Sequence, residues 1–577
     1  MLDGQHLPIN PLDTRKCSSG FCTSATDVRP QVVLVPPKKV IPIIFIPGIM
    51  GSNLRMTADR QALLKKKNNI AWRVDSTSEN AHFMALNAAD RQKQLDPDKT
   101  SVDTFDSGHS ETGNPKETTF ERNKAVNLSS IDMWHVSNAP LVLLLPDPPG
   151  VTPRKTHQHR ALERGWGEVL YDSYGELLQL MEKQLNDAFC ELNEPSIWWK
   201  KNVLDISPQS WGAAPENQLK PIRADELKSA LTECWFPVHA MGYNWLQSNR
   251  ASGSATANRI RALIKKYADA KFDCRKVILI THSMGGLVAR AAMHSSIGKI
   301  EDLVLGAVHS VMPALGAAIT YKRMRCGFEG GPANIPKRVL GYDGHEVTAV
   351  LSNSPGGLEL LPTKNYGNSW LKIVFDNTTL LSLPQKNNPI TEIYKIQNKW
   401  YQLFNPEWIN PAKLQNSQIS RTFEYIDLAE KFHKTISNYY HKNSYAIYGS
   451  DKERLTWGEV VWQFDQDVSS LNSENFAVSS DSENGKIKFE PINVLHIPKF
   501  NFHNISILSP SAHLVPPKEQ GDETVPIRSA NNQDKFCKAI FRQKGYEHQD
   551  SLKYQSSVSA TFYSIIRIIQ EMNWSKT

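Results

Sequence analysis

One run of residues, 277–286, constrains the fold of this chain more than any other. Four aliphatic residues, Val277-Ile278-Leu279-Ile280, lead directly into Thr281-His282-Ser283-Met284-Gly285-Gly286, and a helical pattern follows up to residue 294. A continuous apolar run of this length is typical of a strand that is buried on both faces in a parallel sheet. A strand that turns into a helix over small residues predicts a sharp turn with Ser283 at its tip.

Neighbouring segments predict the fold class. Residues 41–46, 235–243 and 303–308 are further strand candidates, and residues 169–188, 255–266 and 558–572 carry the apolar spacing of amphipathic helices. The alternation of strand and helix predicts an α/β protein with a mostly parallel central sheet and helices on both faces.

The pattern divides the chain into four predicted parts. Residues 1–40 are expected to be an irregular arm, and residues 41–311 the first part of the core, with an insertion at about 55–160. Residues 312–493 are expected to be a cap or lid, and residues 494–577 the second part of the core. The predicted cap contains Trp370, Trp400, Trp408, Trp457 and Trp462. These aromatic residues fit either a pocket for an acyl chain or the cap's own core.

Composition excludes several classes of protein. The net charge of +7 over 577 residues comes without a concentrated basic stripe, which argues against a nucleic-acid binder. The seven cysteines are scattered without a Cys-x-x-Cys pair, and no metal-binding motif occurs, so we expect neither a metal nor a cofactor. No signal peptide is visible and no apolar run approaches the roughly 20 residues of a membrane span, so we expect synthesis in the cytoplasm and only peripheral membrane contact.

Ser283 is the candidate nucleophile. The strict elbow pattern is Gly-x-Ser-x-Gly, and Thr281 replaces its first glycine. The remaining Ser-x-Gly occurs six times, beginning at Ser18, Ser173, Ser210, Ser283, Ser296 and Ser354. Only Ser283 directly follows a buried-strand run and opens a helix. A structural turn serine is the alternative interpretation.

A serine nucleophile requires two N–H groups to bind the oxyanion of the tetrahedral intermediate. Met284, next to the serine, is the first candidate donor. The loop Pro47-Gly48-Ile49-Met50-Gly51-Ser52 follows an early strand and supplies the second, with Ile49 preferred and Met50 next. A simple turn at the end of the strand is the alternative for this loop.

The remaining members of a triad are expected after the serine, the acid first and the histidine last. Asp522 lies in the turn Gly521-Asp522-Glu523-Thr524-Val525, and His548 is the single histidine beyond it. His548 would accept the proton of Ser283, and Asp522 would orient the imidazole. Glu523 and Asp534 remain alternatives for the acid, and His496, His503 and His513 for the histidine.

Together, the segments 47–52, 281–286 and 521–525 resemble the lipase branch of the α/β-hydrolases that includes lecithin:cholesterol acyltransferase and the GPI-inositol deacylase-like proteins. The whole chain is similar to bacterial lipase effectors of the type VI secretion system, a similarity that also covers 243–245 and 354–362. The resemblance implies the α/β-hydrolase fold with an inserted lid and hydrolysis of phospholipid or other lipid esters. It further implies delivery into the periplasm of a rival cell, a cognate immunity protein and a partner in the secretion apparatus.

The sequence therefore predicts a serine lipid-ester hydrolase that acts through Ser283, Asp522 and His548. Two alternatives remain open. An acyltransferase would use the same residues and pass the acyl group to an alcohol, and a non-catalytic binding protein would use the fold without the chemistry.

Overall fold

The computed structural model describes residues 17–20, 31–34, 37–105, 157–190, 193–331, 333–496 and 504–575. Six parallel strands form its central sheet: β1 (Ile43–Ile46), β2 (Val238–Ala240), β3 (Val277–His282), β4 (Val304–Ser310), β5 (Ser444–Gly449) and β6 (Ala539–Gln543). Their order across the sheet is β2-β1-β3-β4-β5-β6. The predicted α/β-hydrolase fold with a mostly parallel sheet is confirmed.

Both faces of this sheet are covered by helices. On one face, Ile44, Leu279 and Ala307 pack with helices α2 (Asn249–Asp269) and α3 (Gly285–Met293). On the other face, Ile43, Ile278 and Ile280 pack with α1 (Tyr171–Asn186) and α4 (Gln555–Ile569). Alternate residues of each strand enter opposite cores. This is why β1, and β3 and β4 up to their last two residues, are uninterrupted apolar or small runs in the sequence.

The predicted division of the chain needs corrections. Residues 312–493 were expected to be cap throughout, but β5 lies within them and pairs with β4 and β6. The predicted second part of the core, 494–577, contributes Ser511–Leu514 to the cap instead. The arm expected to be irregular contains an antiparallel pair, Cys17–Gly20 with Gln31–Leu34. Apart from Gln31–Leu34, which is mostly aliphatic, these strands are short and of mixed composition, so no apolar run in the sequence assigns them to a sheet.

The cap is built around a second, mixed six-stranded sheet. Its strands, in spatial order, are Thr378–Leu383, Leu371–Phe375, Val460–Phe464, Ser511–Leu514, Lys486–Phe489 and Val478–Asp481. Trp370, Trp400 and Trp462 are 0%, 6% and 1% exposed, and their rings contact one another or other aromatic residues of the cap, namely Tyr321, Tyr394 and Phe489. These aromatic residues therefore form the cap's own core.

The remaining elements surround these two sheets. Helices α1 to α4 were predicted within about six residues of their observed ends. The described part of the 55–160 insertion forms a small sheet of Leu54–Met56, Ile70–Trp72 and Thr100–Val102, and its residues 106–156 lie outside the described residues. The other α-helices of four or more residues are Ala58–Leu64, Thr77–Ala85, Ala88–Gln94, His157–Glu163, Ile197–Asn202, Ala224–Leu231, Ile319–Cys326, Ile335–Leu340, Gly344–Leu351, Pro355–Leu358, Pro406–Ile409, Ile419–Ile436 and Ile527–Ala530. Within the described ranges, none of the helices combines the length and apolar character of a membrane span.

Candidate active site

Ser283 stands at a strained turn between β3 and α3. Its φ is 51°, a left-handed conformation that is uncommon for a residue with a side chain. Its N–H donates to the carbonyl of Ser310 at the end of β4, 2.8 Å away. The turn lifts the hydroxyl to the carboxyl end of the sheet, where parallel α/β sheets bind their ligands.

Close packing explains the small residues around Ser283. A Cβ on Gly285 would lie 2.4 Å from the carbonyl oxygen of Pro47 and 2.5 Å from that of Ile46, so only glycine fits. Thr281 replaces the other glycine of the strict pattern without such a conflict. It is fully buried between β1 and β4, and its Oγ1 lies 3.0 Å from His309 Nδ1.

The structure brings Ser283, His548 and Asp522 together. His548 Nε2 lies 2.8 Å from Ser283 Oγ, and His548 Nδ1 lies 2.9 Å from Asp522 Oδ2. Because a carboxylate only accepts, Nδ1 carries the proton and Nε2 is left to accept the serine O–H. Asp522 is 1% exposed and Ser283 is 5% exposed, so little water competes for these bonds.

Backbone contacts fix the acid and the histidine. Asp522 Oδ1 accepts from the N–H groups of Thr524 and Val525 at 3.1 and 2.6 Å, which directs Oδ2 to the imidazole. The N–H of His548 donates to the carbonyl of Asp522 at 2.8 Å. The two loops are therefore joined at the backbone as well as through their side chains.

The alternative residues lie elsewhere or have other partners. Glu523 pairs with Arg454, and Asp534 accepts from Tyr448 and Arg542. His513 lies in the cap strand Ser511–Leu514, opposite Gln463 of the neighbouring strand. His503 and the side chain of His496 lie outside the described residues.

The predicted oxyanion loop forms a tight turn beside Ser283. The N–H of Gly51 donates to the carbonyl of Gly48 at 3.1 Å, and Met50 has a φ of 60°. Ile49 and Met50 line the same cavity as Ser283 and His548. Met284 begins the turn into α3. In the part of the chain that the structure describes, neither the Ile49 N–H nor the Met284 N–H donates to a backbone oxygen.

A cavity of about 710 Å³ opens above Ser283. Core loops and cap helices both line it, and none of the tryptophans singled out in the cap does so. Its apolar lining residues are Ile49, Met50, Trp72, Val74, Leu170, Pro313, Ala317, Ile319, Phe328, Ile335, Pro336, Val339, Leu340, Leu351, Leu360 and Val525. The cavity is therefore large and apolar enough for a long aliphatic group.

Charged residues occupy one wall of this cavity. Glu329 accepts from Arg323 at 2.8 Å and from Lys322 at 2.9 Å, and Arg323 also donates to Thr524 Oγ1 at 3.4 Å. Burial alone would raise the pKa of Glu329, but the charges of Arg323 and Lys322 outweigh it and hold that pKa at about 2. Lys337, on the same wall, donates to Asn484 Oδ1 at 3.1 Å.

Two residues near the triad were missed from the sequence as site residues. Tyr174 on α1 and His282 on β3 are hydrogen-bonded to each other at 3.1 Å, directly behind Ser283 and His548. Nothing in the sequence near Tyr174 marks it, whereas His282 is marked only by preceding the serine. Among the described residues, no group of three or more His, Cys, Asp or Glu side chains is arranged to hold a metal ion.

Comparisons with known proteins agree with this architecture. The family model described as PGAP1-like alpha/beta domain matches residues 254–323, which include β3, the Ser283 turn, α3 and β4. The chain is also similar to a solved chain from "The crystal structure of Tle4-Tli4 complex", with 29% identity and a TM-score of 0.68. That match covers 93% of this chain and 99% of the other. No curated protein matches the sequence. The chain thus has the α/β-hydrolase fold, and the resemblance predicted from its sequence is confirmed.

Proposed function

We propose that this protein is a serine lipid-ester hydrolase that uses Ser283, His548 and Asp522. The Ser283 hydroxyl attacks the ester carbonyl while His548 Nε2 takes its proton, and the N–H groups of Ile49 and Met284 bind the oxyanion. His548 then donates this proton to the oxygen of the leaving alcohol. The alcohol departs, and the acyl group stays bound to Ser283 as an acyl-enzyme. A water molecule then attacks the acyl-enzyme carbonyl while His548 accepts its proton, and His548 passes that proton to Ser283 Oγ as the fatty acid leaves.

The observation that carries the proposal is the connected pair of contacts at His548. One imidazole lies 2.8 Å from a hydroxyl on a strained turn and 2.9 Å from a buried carboxylate. A structural serine needs neither a positive φ nor an oriented base. The intact set of groups also argues against a non-catalytic binding protein.

The cavity above Ser283 supports a lipid substrate. Burying an acyl chain in it gains about 0.8 kcal/mol per methylene. The cations Arg323 and Lys337 on one wall suit the phosphate of a phospholipid head group. A phospholipid fits both features at once, and we therefore favour a phospholipase over an esterase for short soluble substrates.

The similarity to a chain from the Tle4-Tli4 complex supports an effector role. In this proposal, the protein is an antibacterial toxin that the type VI secretion system delivers to the periplasm of a target cell, where it degrades membrane lipids. A cognate immunity protein would bind it in the producing cell, and a component of the secretion apparatus would carry it. Contact with the membrane would be peripheral.

The test compares Ser283→Ala with Ser210→Ala on vesicles of phosphatidylethanolamine and phosphatidylglycerol, with release of fatty acid as the readout. Ser210 also stands in a Ser-x-Gly sequence, but it is exposed and its Oγ donates to the carbonyl of Ser207. We expect Ser283→Ala to lower the rate by at least about 10³-fold and Ser210→Ala to leave it unchanged.

The same assay examines the competing interpretations. Equal rates for the two variants would refute the role of Ser283. Turnover of short soluble esters without turnover of vesicles would refute the lipid substrate. An added alcohol that captures most of the acyl group would identify an acyltransferase.

A further inference from the structure

A second series of hydrogen bonds runs behind the proposed triad. The Gly48 N–H lies 3.4 Å from the Tyr174 hydroxyl, that hydroxyl lies 3.1 Å from His282 Nδ1, and His282 Nε2 lies 3.0 Å from the carbonyl oxygen of His548. Gly48 precedes Ile49 of the oxyanion loop. The series therefore joins that loop to the backbone of the proposed general base.

Burial fixes the protonation of both side chains in this series. His282 is 1% exposed, and burial, assisted by the proximity of His548, lowers the pKa of its imidazole to about 3. Burial raises the pKa of the Tyr174 hydroxyl to about 12. At neutral pH, His282 is uncharged with one N–H, and Tyr174 keeps its proton.

Only one arrangement of the protons satisfies every group. The carbonyl of His548 can only accept, so His282 Nε2 carries the proton. His282 Nδ1 then accepts from the Tyr174 O–H, and the Tyr174 oxygen accepts from the Gly48 N–H. These three bonds run in the same direction, from the oxyanion loop to the histidine loop. Gln549 Nε2 of the histidine loop also donates to the Tyr174 oxygen, at 3.5 Å, and a satisfied buried network of this kind holds its members in one geometry.

We propose that Tyr174 and His282 are positioning residues that hold the His548 loop and the Ile49 loop in register around Ser283. The inference rests on the proposed function and adds two residues that do not touch the reacting atoms. Their sequence positions are compatible with this role, because His282 adjoins the nucleophile and Tyr174 lies on the helix below the oxyanion loop. Catalysis is sensitive to such placement, since small displacements of a base or donor reduce the rate sharply.

Packing of the aromatic rings is the competing explanation. The Tyr174 ring lies 4.8 Å from that of Phe45 and 5.4 Å from that of His282. If packing were the whole role, Tyr174→Phe would be silent, because it keeps the ring and removes only the hydroxyl.

The test measures kcat and KM on phospholipid vesicles for Tyr174→Phe, with Tyr171→Phe as its matched control. Tyr171 is also a buried tyrosine on α1, but its hydroxyl accepts from Gln179, away from the site. We expect Tyr174→Phe to lower kcat about tenfold with KM within about twofold of wild type. Tyr171→Phe should leave both constants unchanged.

Two substitutions of His282 extend the test. His282→Gln keeps an N–H donor close to the Nε2 position, whereas His282→Leu removes both hydrogen-bonding atoms. We expect kcat to fall about 100-fold in His282→Leu and to recover in part in His282→Gln. Adding Tyr174→Phe to His282→Leu should cause no further loss, because the series is already broken.

An unchanged kcat in Tyr174→Phe, or a change equal to that of Tyr171→Phe, would overturn the inference. So would additive losses in the double variant. Thermal unfolding of each variant separates loss of fold from loss of positioning, and Tyr174→Phe alone decides the question if His282→Leu fails to fold. If Ser283→Ala loses activity and Tyr174→Phe keeps the wild-type kcat, only the inference about Tyr174 and His282 is overturned. If Ser283→Ala keeps full activity, the proposed function itself is overturned.

Discussion

The two six-stranded sheets of this protein differ in how they are buried. In the central sheet, β3 and β4 are buried at every residue, and all strands are parallel. In the cap sheet, Val460–Phe464 and Lys486–Phe489 alternate between buried residues and more exposed ones. Ser283 and His548 follow strands β3 and β6 of the first sheet, and Asp522 follows the strand Glu519–Gly521, which pairs with Asp451–Thr456 just beyond β5. Much of the cavity wall belongs to cap helices. Chemistry and substrate binding are thus assigned to different parts of the molecule, and this separation can be tested.

The largest expected effect concerns the acid of the core. Asp522→Asn should lower kcat by about 10³- to 10⁴-fold, because an amide in place of the carboxylate favours the wrong imidazole tautomer and cannot stabilise the imidazolium. The measurement is vesicle hydrolysis together with thermal unfolding. Asp534→Asn, which changes the alternative acid bound to Tyr448 and Arg542, is the matched control and should retain activity. If Asp534→Asn lowered kcat more than Asp522→Asn did, Asp522 would not be the acid of the triad.

The next effect contrasts a glycine of the core with one of the cap. Gly285→Ala should lower the free energy of unfolding by about 1–3 kcal/mol and reduce activity, because the new Cβ would meet the Pro47 carbonyl at 2.4 Å. Gly331→Ala has no neighbour within 4 Å of the new Cβ and should change little. Chemical denaturation measures the free energy of unfolding of both variants. Equal free energies of unfolding for the two variants would show that α3 does not pack closely against the end of β1 and the oxyanion loop.

A smaller effect is expected from the cavity wall. Ile335 lines the cavity and is 57% exposed, so Ile335→Ser removes apolar contact surface without creating a buried void. We expect KM for long-chain esters to rise about fivefold with kcat unchanged. Ile197→Ser, at an exposed helical position outside the cavity lining, is the control. A fall in kcat rather than a rise in KM would contradict the separation of binding from chemistry.

The smallest effect concerns Glu359, where core and cap meet. Its carboxylate accepts from the Asn249 N–H of α2, and its carbonyl accepts from His433 of the cap helix. Burial raises the pKa of Glu359 to about 8. The folded protein therefore binds this proton more tightly than the unfolded chain, and stability falls as pH rises from about 4.5 through about 8.

Replacing the carboxyl by an amide removes this titration. Glu359→Gln should lose less Tm than wild type between pH 5.5 and pH 8.5, by a few degrees, with little change in activity near neutral pH. Scanning calorimetry across that pH range measures the difference. Parallel Tm curves for the two proteins would show that Glu359 does not couple pH to stability.

The same contrast between the sheets explains what the sequence could predict. The buried parallel strands and the Ser283 turn leave local signals, namely apolar runs that end in small residues. Chain order then pointed to Asp522 and His548. The strand β5 was missed because Ser444-Tyr445-Ala446-Ile447-Tyr448-Gly449 mixes polar and aromatic residues, as the surrounding cap does.

Features built from distant segments left no such signal. The cap strand Val460–Phe464 pairs with Leu371–Phe375 on one side and Ser511–Leu514 on the other. Tyr174 meets His282 across 108 residues of sequence. Trp72, which belongs to the insertion, lines the cavity. The sequence had offered the tryptophans of the cap as possible lining residues instead. Each of these depends on tertiary packing, which no local pattern encodes.

The central claim is that Ser283 is the nucleophile, and identification of the serine that reacts with a fluorophosphonate probe tests it most directly. The protein is labelled, digested and analysed by peptide mass spectrometry, with Ser283→Ala and His548→Ala treated in parallel. We expect one modified peptide with the adduct on Ser283, no adduct in Ser283→Ala, and much slower labelling in His548→Ala. An adduct on a different serine, or equal labelling of wild type and Ser283→Ala, would contradict the claim.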